Sequence, residues 1–192
     1  MELPRLILAS GSPRRSEILG FVGWQFDKQV ADIDETPREG ESPETYVERL
    51  AREKSLAVAE RSPDSLVLGA DTTVVVDGRI VGKPLDMDDA REMISDLSGR
   101  WHDVITGVAV TKTSRNGDAP VTRSAIQTTG VKFCDLSAEE IEFLVREGEP
   151  MDKAGAYAVQ AQAALFIEEI RGDYWNVVGL PVSLVYELVR SF

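Results

Sequence analysis

The sequence predicts an α/β fold, an extended mixed β-sheet with flanking helices, in one domain over 1–192. Three observations predict it. Short apolar runs of strand length alternate with amphipathic stretches of helical period. Two hairpin patterns interrupt that alternation, which argues against a purely parallel sheet. No repeat, low-complexity tract or linker composition divides the 192 residues.

The elements follow in order. Arg5–Ser10 is a short apolar run that reads as a buried strand, and Ser12-Pro13 then caps a helix carrying Ile18 and Leu19 inward. Trp24–Ile33 reads as extended, and Asp34–Glu41 as a polar loop with Pro and Gly. Ser42-Pro43 opens a long helix to about Arg61, with an inward stripe of Val47, Leu50, Ala51 and Val58. Leu66–Asp71 is a second apolar strand, followed by a hairpin over Thr73–Val81 that turns at Asp77-Gly78. Asp86–Leu97 is an amphipathic helix closed by Ser98-Gly99. His102–Thr113 and Ala119–Phe133 form an antiparallel pair joined through Ser114–Asp118. Ser137 with Glu140 is a capping-box pattern opening a helix to Arg146. Ala163–Ile170 reads as the last strand. Gly179–Arg190 is a closing helix with Leu184, Val185 and Leu188 on one face.

Composition narrows the function classes. Net charge is −12, from 33 acidic and 21 basic residues. Such a surface repels a polyphosphate backbone, so no nucleic-acid partner is expected. No segment reaches the roughly 18–20 apolar residues of a membrane span, so no membrane partner is expected either. The start of the chain lacks an export pattern, and Cys134, the only cysteine, excludes an internal disulfide; both predict a cytoplasmic protein. Cys134 itself reads as a small buried residue in a strand. His102 is the only histidine, which excludes a multi-histidine zinc site. A small anionic substrate remains open, provided Lys and Arg gather locally or a metal ion bridges.

Positive charge gathers at Ser10-Gly11-Ser12-Pro13-Arg14-Arg15, between a strand and a helix. A helix N-terminus offers unpaired N–H groups, Gly11 admits a ligand to the backbone, and Ser10, Ser12, Arg14 and Arg15 add phosphate-binding donors. The alternative is a capped helix with two solvated arginines. Lys54 lies seven residues after Val47, on the buried stripe, so it either snorkels or points its ammonium into a cleft; Arg49, Arg52 and Glu53 read as solvated. Asp71 ends an apolar strand, where open α/β sheets place functional groups. It suits a general base or a metal ligand, against the alternative of a simple turn. Lys83 is held extended before Pro84, and Glu35 in its loop is another water or metal partner; a solvated role is the alternative for both. Asp152–Gln160 is rich in small residues, and Gln160 carries the donor and acceptor needed to read a base edge. Trp24, Trp101 and Trp175 read as packing residues.

Together these segments resemble the Maf family of nucleotide pyrophosphatases, from Ala9–Arg15 through Leu50–Lys54, Gly69–Thr72, Gly82–Pro84, Ser98–His102 and Asp152–Tyr157 to Val178–Pro181. The resemblance implies two lobes with a central cleft, as in inosine triphosphate pyrophosphatase-like folds. It also implies hydrolysis of a nucleoside triphosphate to monophosphate and pyrophosphate with Mg²⁺ or Mn²⁺. It makes Asp71 the acceptor of the water proton, brings Lys54, Lys83 and the Ser/Arg loop to the phosphates, and gives Glu35 a part in activity, with Glu35 and Asp71 as candidate metal ligands. Arg14, Thr72 and Gln160 match positions tied to substrate choice in the dTTP/UTP branch. Ala161 departs from that branch, where Gly often follows the glutamine. A small-molecule nucleoside triphosphate is thus the expected partner, with a second copy of the chain as a candidate homodimer. Two other readings stand beside this one. One is a non-catalytic nucleotide-binding regulator of septum formation, for which an anionic Asp71 beside phosphates is a poor choice. The other is a phosphomonoesterase, for which the sequence offers no nucleophile.

Overall fold

The computed structural model describes residues 3–116 and 118–192. A seven-stranded sheet runs in the order β2-β1-β3-β5-β6-β7, with β4 paired to β3. β1 (Leu6–Leu8) pairs in parallel with β2 (Phe26–Lys28) and with β3 (Leu66–Val76). β4 (Arg79–Val81) is antiparallel to β3, as β7 (Ile167–Arg171) is to β6 (Val121–Phe133). β5 (Trp101–Lys112) lies between β3 and β6. The sheet is therefore mixed, as the alternation with intruding hairpins predicts. The β5–β6 connection includes position 117, outside the described residues.

The chain forms two compact units: residues 1–71, 106–127 and 179–192, and residues 72–105 and 128–178. The first contains α1 (Pro13–Phe21), α2 (Pro43–Ala59) and α6 (Val182–Arg190). Its core includes Leu6, Leu8, Ile18, Leu19, Val47, Leu50, Ala51, Leu68 and a cluster of Ala9, Val58, Ala59 and Val67. The second contains α3 (Met87–Leu97), α4 (Ala138–Glu147) and α5 (Tyr174–Val178). It buries Val74, Ile94, Leu97, Phe133, Leu144 and Tyr157. Each large apolar side chain removed from water contributes about 1.5–3 kcal/mol.

Local chemistry explains most element ends. Ser42 Oγ accepts from Thr45 N, with Pro43 opening α2. Asp86 caps α3 through the Asp88 and Asp89 amides, and Ser137 and Glu140 form the capping box of α4. Asp77 (φ 49°) and Gly78 (φ 74°) both take the left-handed conformation a two-residue hairpin demands, and Val76 faces Arg79 across it.

Several expectations need correction. Ser12 precedes α1 without a side-chain capping bond. Only Phe26–Lys28 of the Trp24–Ile33 stretch pairs; Trp24 instead packs inward, its Nε1 donating to the Pro4 carbonyl at 2.8 Å. β3 runs unbroken through Asp71, so this aspartate makes no turn. Gln162–Leu165 coils as a 3-10 turn, and β7 begins only at Ile167. Cys134 lies just past β6, half-buried. α6 starts after Pro181 and buries Val185 and Val189 most deeply. α5 had no apolar period to announce it.

Candidate functional site

The first unit builds a charged centre at Asp71. Two glycines make it. A Cβ on Gly69 of β3 would lie 2.2 Å from the Ala51 carbonyl oxygen, and one on Gly107 of β5 would lie 2.3 Å from that of Val47. α2 therefore lies directly on strand backbone at two points. Lys54, on the buried stripe of α2, is carried down with it. Its Nζ donates to Asp71 Oδ1 at 2.7 Å and pairs with Glu35 Oε1 at 2.7 Å. Lys54 is buried at 8% exposure, so it does not snorkel to solvent. Asp71 is 9% exposed, while the Glu35 side chain is 54% exposed. One ammonium thus joins a buried carboxylate to an open one.

Burial pushes the Asp71 carboxyl above its usual range, a shift that Lys54 and Arg15 oppose and Glu35 reinforces. Arg15 is itself buried, which lowers its pKa from the usual guanidinium value. Its Nε donates to the Gly179 carbonyl at 2.9 Å, and its Nη1 to Ser10 Oγ at 3.0 Å and to the Ala70 carbonyl at 2.9 Å. The expected phosphate binder therefore ties the Ser10 loop, the residue before Asp71 and the C-terminal segment together. Ser10 Oγ also accepts from Ser12 N at 3.2 Å. Ser12, just before α1, and Arg14, on its first turn, are half-buried. At Gly11 an added Cβ would meet only Val30, at 3.9 Å, so the loop's backbone is open on that side.

Four side chains escaped the sequence reading. Lys28 Nζ donates to the Gly11 carbonyl at 3.0 Å, adding positive charge beside the loop. Tyr46 Oη donates to the Glu35 carbonyl at 3.1 Å. Burial, Asp71 and Glu35 push the Tyr46 phenol up to about 12. Arg49, expected in solvent, forms a bidentate pair with Glu41. The spacing of Tyr46, Arg49 and Glu53 on one helix edge was the available signal. Among the described residues no three His, Cys, Asp or Glu side chains converge as a metal cage.

The remaining candidates belong to the second unit, which begins at Thr72, a half-buried residue directly after Asp71 on β3. Lys83 is exposed. The Gly82 carbonyl just before it accepts from Gly155 N at 3.0 Å. Gly155 (φ 68°) approaches Val74 so closely that a Cβ would come within 3.0 Å. Tyr157, in the same segment, meets His102 Nε2 at 2.7 Å, and both are buried against Phe133. Gln160 follows, exposed. Ala161 has φ −117°, outside the left-handed region that favours glycine.

With the geometry in place, comparison with known proteins assigns the family. Residues 5–192 match the family described as Maf-like protein. This chain belongs to the Maf family. A Symbiobacterium thermophilum relative, named dTTP/UTP pyrophosphatase, is 48% identical over 190 residues, covering 99% of this chain and 95% of its own. Relatives of the same name from Anaeromyxobacter dehalogenans and Clostridioides difficile are 49% and 47% identical. They match over 97% of this chain, and over 93% and 94% of their own lengths.

Proposed function

We propose that this Maf protein is a nucleoside triphosphate pyrophosphatase that hydrolyses dTTP and UTP to the monophosphate and pyrophosphate. The name its relatives share supports the reaction. The observation that carries the mechanism is Lys54 Nζ at 2.7 Å from both Asp71 and Glu35. It sits in the same unit as a glycine-containing strand-to-helix loop bearing Ser10, Ser12 and Arg14.

Asp71 accepts a proton from water as its oxygen attacks the α-phosphorus. The α–β anhydride bond breaks, and its electron pair leaves with pyrophosphate. Lys54 favours the anionic form of the base, and a triphosphate that draws on the charge of Lys54 strengthens the pull of Asp71 on the water proton. Lys54, Arg14 and the α1 N-terminus then stabilise the negative charge that builds on the leaving group, and Lys83 is a further phosphate-binding candidate by its match to the family motif. Arg15 acts from behind the loop by holding Ser10 and the backbone before Asp71. Thr72 and Gln160 are assigned to the base, since a site that hydrogen-bonds a base edge rejects bases that leave its groups unpaired.

A divalent ion fits this residue set. Glu35 and Asp71 offer hard oxygens that already face one position of positive charge. Mg²⁺ is usually held by one or two carboxylates, with water and substrate phosphates completing its shell. Glu35 and Asp71 would hold Mg²⁺ or Mn²⁺, which supplies charge neutralisation on the phosphates. No helix among the described residues is long and apolar enough to cross a membrane. We place its action on a cytoplasmic nucleotide pool, in keeping with the nucleoside triphosphate substrate.

The test is product analysis over a panel of nucleoside triphosphates with Mg²⁺ or Mn²⁺, scoring pyrophosphate apart from orthophosphate. Monophosphate plus pyrophosphate, fastest with dTTP and UTP, is expected. Orthophosphate as the first product, or binding with no turnover of any nucleotide, would overturn the assignment.

A further inference from the structure

Glu35 poses a physical problem. Its side chain is more than half exposed, on a loop without regular structure, so packing does not place it. Yet its carboxylate stands 2.7 Å from Lys54. What holds the loop comes from α2, the helix that also supplies Lys54. Tyr46 Oη donates to the Glu35 carbonyl, and Arg49 Nη2 donates to the Thr36 carbonyl at 3.2 Å. Arg49 Nε and Nη2 grip the two Glu41 oxygens at 2.6 and 2.8 Å. Glu41 Oε2 also accepts from Arg38 N at 3.1 Å, and Glu41 N donates to the Arg38 carbonyl at 3.1 Å. Glu53, one turn beyond Arg49, takes Arg49 Nη1 at 3.2 Å and Arg38 Nη2 at 2.9 Å.

This pair differs from the surface ion pairs of the chain. Arg5 and Asp27 pair with side chains 60% and 56% exposed, where screening leaves little. Arg49 and Glu41 are 11% and 5% exposed and meet fork to fork, where charge-assisted bonds are strong and directional. Arg49 also pairs with both Glu41 and Glu53 and so offsets the repulsion between them.

We propose that Arg49 and Glu41 are positioning residues for the pyrophosphatase reaction, their bidentate pair clamping the 34–41 loop to α2 and so setting where Glu35 meets Lys54. This rests on the reading that Glu35 serves the reaction. α2 then fixes both halves of the centre, Lys54 through its seat on Gly69 and Glu35 through the clamp.

The experiment compares wild type, Glu41→Gln, Arg49→Lys, the double variant and Glu35→Gln. It reads amide hydrogen exchange at Thr36, Arg38 and Glu41, and kcat and KM for dTTP. Glu41→Gln keeps shape without charge, and Arg49→Lys keeps charge without the fork. Each is expected to lose about tenfold in protection at these amides and about tenfold in kcat, with KM nearly unchanged. The double variant should be no worse than either single one, because one interaction is lost in all three. Glu35→Gln should lower kcat with loop protection intact. Unchanged exchange in both clamp variants, or a loosened loop with wild-type kcat, would overturn the clamp. Wild-type turnover separates the two levels: a wild type that releases no pyrophosphate removes the reading of function, whereas normal turnover with those outcomes removes only the clamp.

Discussion

At Asp71, burial and function pull in opposite directions. Desolvation disfavours the carboxylate, while Lys54 at 2.7 Å and buried Arg15 favour it. The net shift is upward, so the proton stays on to a higher pH than on an ordinary aspartate. A base works only when deprotonated, so kcat/KM should fall on the acid side with a midpoint above the usual carboxylate range. Lys54→Met removes the opposing charge, and should move that limb further up while reducing turnover. Asp71→Asn keeps the shape without the base. Turnover should drop by ~10²-fold or more while dTTP still binds, which steady-state kinetics and calorimetry would check. Full activity in Asp71→Asn would end its role. Arg15 teaches a related lesson. Carbonyl and hydroxyl partners take its Nε and Nη1, donors that its place in the loop suggested for phosphate.

The helix–strand contacts at Gly69 and Gly107 decide where Lys54 can reach. Each added Cβ would press on helix backbone, which has no rotamer to yield. Gly69→Ala and Gly107→Ala should each destabilise by about 1–3 kcal/mol in urea titrations, and should lower kcat as α2 lifts from the strands. Gly11→Ala is the contrast. Its Cβ meets only Val30 at ordinary distance, so stability should hold within about 0.5 kcal/mol while KM for dTTP rises. A Gly11→Ala protein with unchanged KM would remove that backbone from the phosphate cradle. These positions also mark how far the sequence could be read. The stripe through Val47, Leu50, Ala51 and Val58 put Lys54 on the buried face, and an apolar run ending in a carboxylate singled out Asp71. Caps at Ser42, Asp86 and Ser137 and the Asp77-Gly78 turn were legible because their chemistry is local. Glu41, Arg49 and Tyr46 were not, because a charged residue on a helix edge reads as solvated until a loop folds over it. The 3-10 turn at Gln162–Leu165 is too short to show a period, and so is α5, which a contact distant in sequence holds, Asn176 Nδ2 donating to the Val104 carbonyl.

For the whole molecule, acidification has two opposing effects on stability. Lowering the pH reduces the magnitude of the net charge of −12 and relieves self-repulsion, which favours the folded state. His102 works the other way. Buried beside Phe133 and Tyr157, its imidazole is pushed down to about 4 by desolvation. An unfolded histidine takes up a proton near 6.5. Between those values the unfolded chain binds the extra proton, so this contribution is full above about 6.5 and is lost as pH falls toward about 4. Glu41 has the usual carboxylate sign: Arg49 holds it down to about 2, so its contribution is full above about 4.5 and is lost as pH falls from there toward about 2. Comparing wild type with His102→Gln cancels the charge relief common to both. The stability difference between them should shrink by about 2 kcal/mol from pH 7 to pH 5, measured by urea unfolding at each pH. A constant difference would mean that the imidazole takes up its proton in the folded protein as readily as in the unfolded chain, and that the buried contact with Tyr157 tolerates a charge.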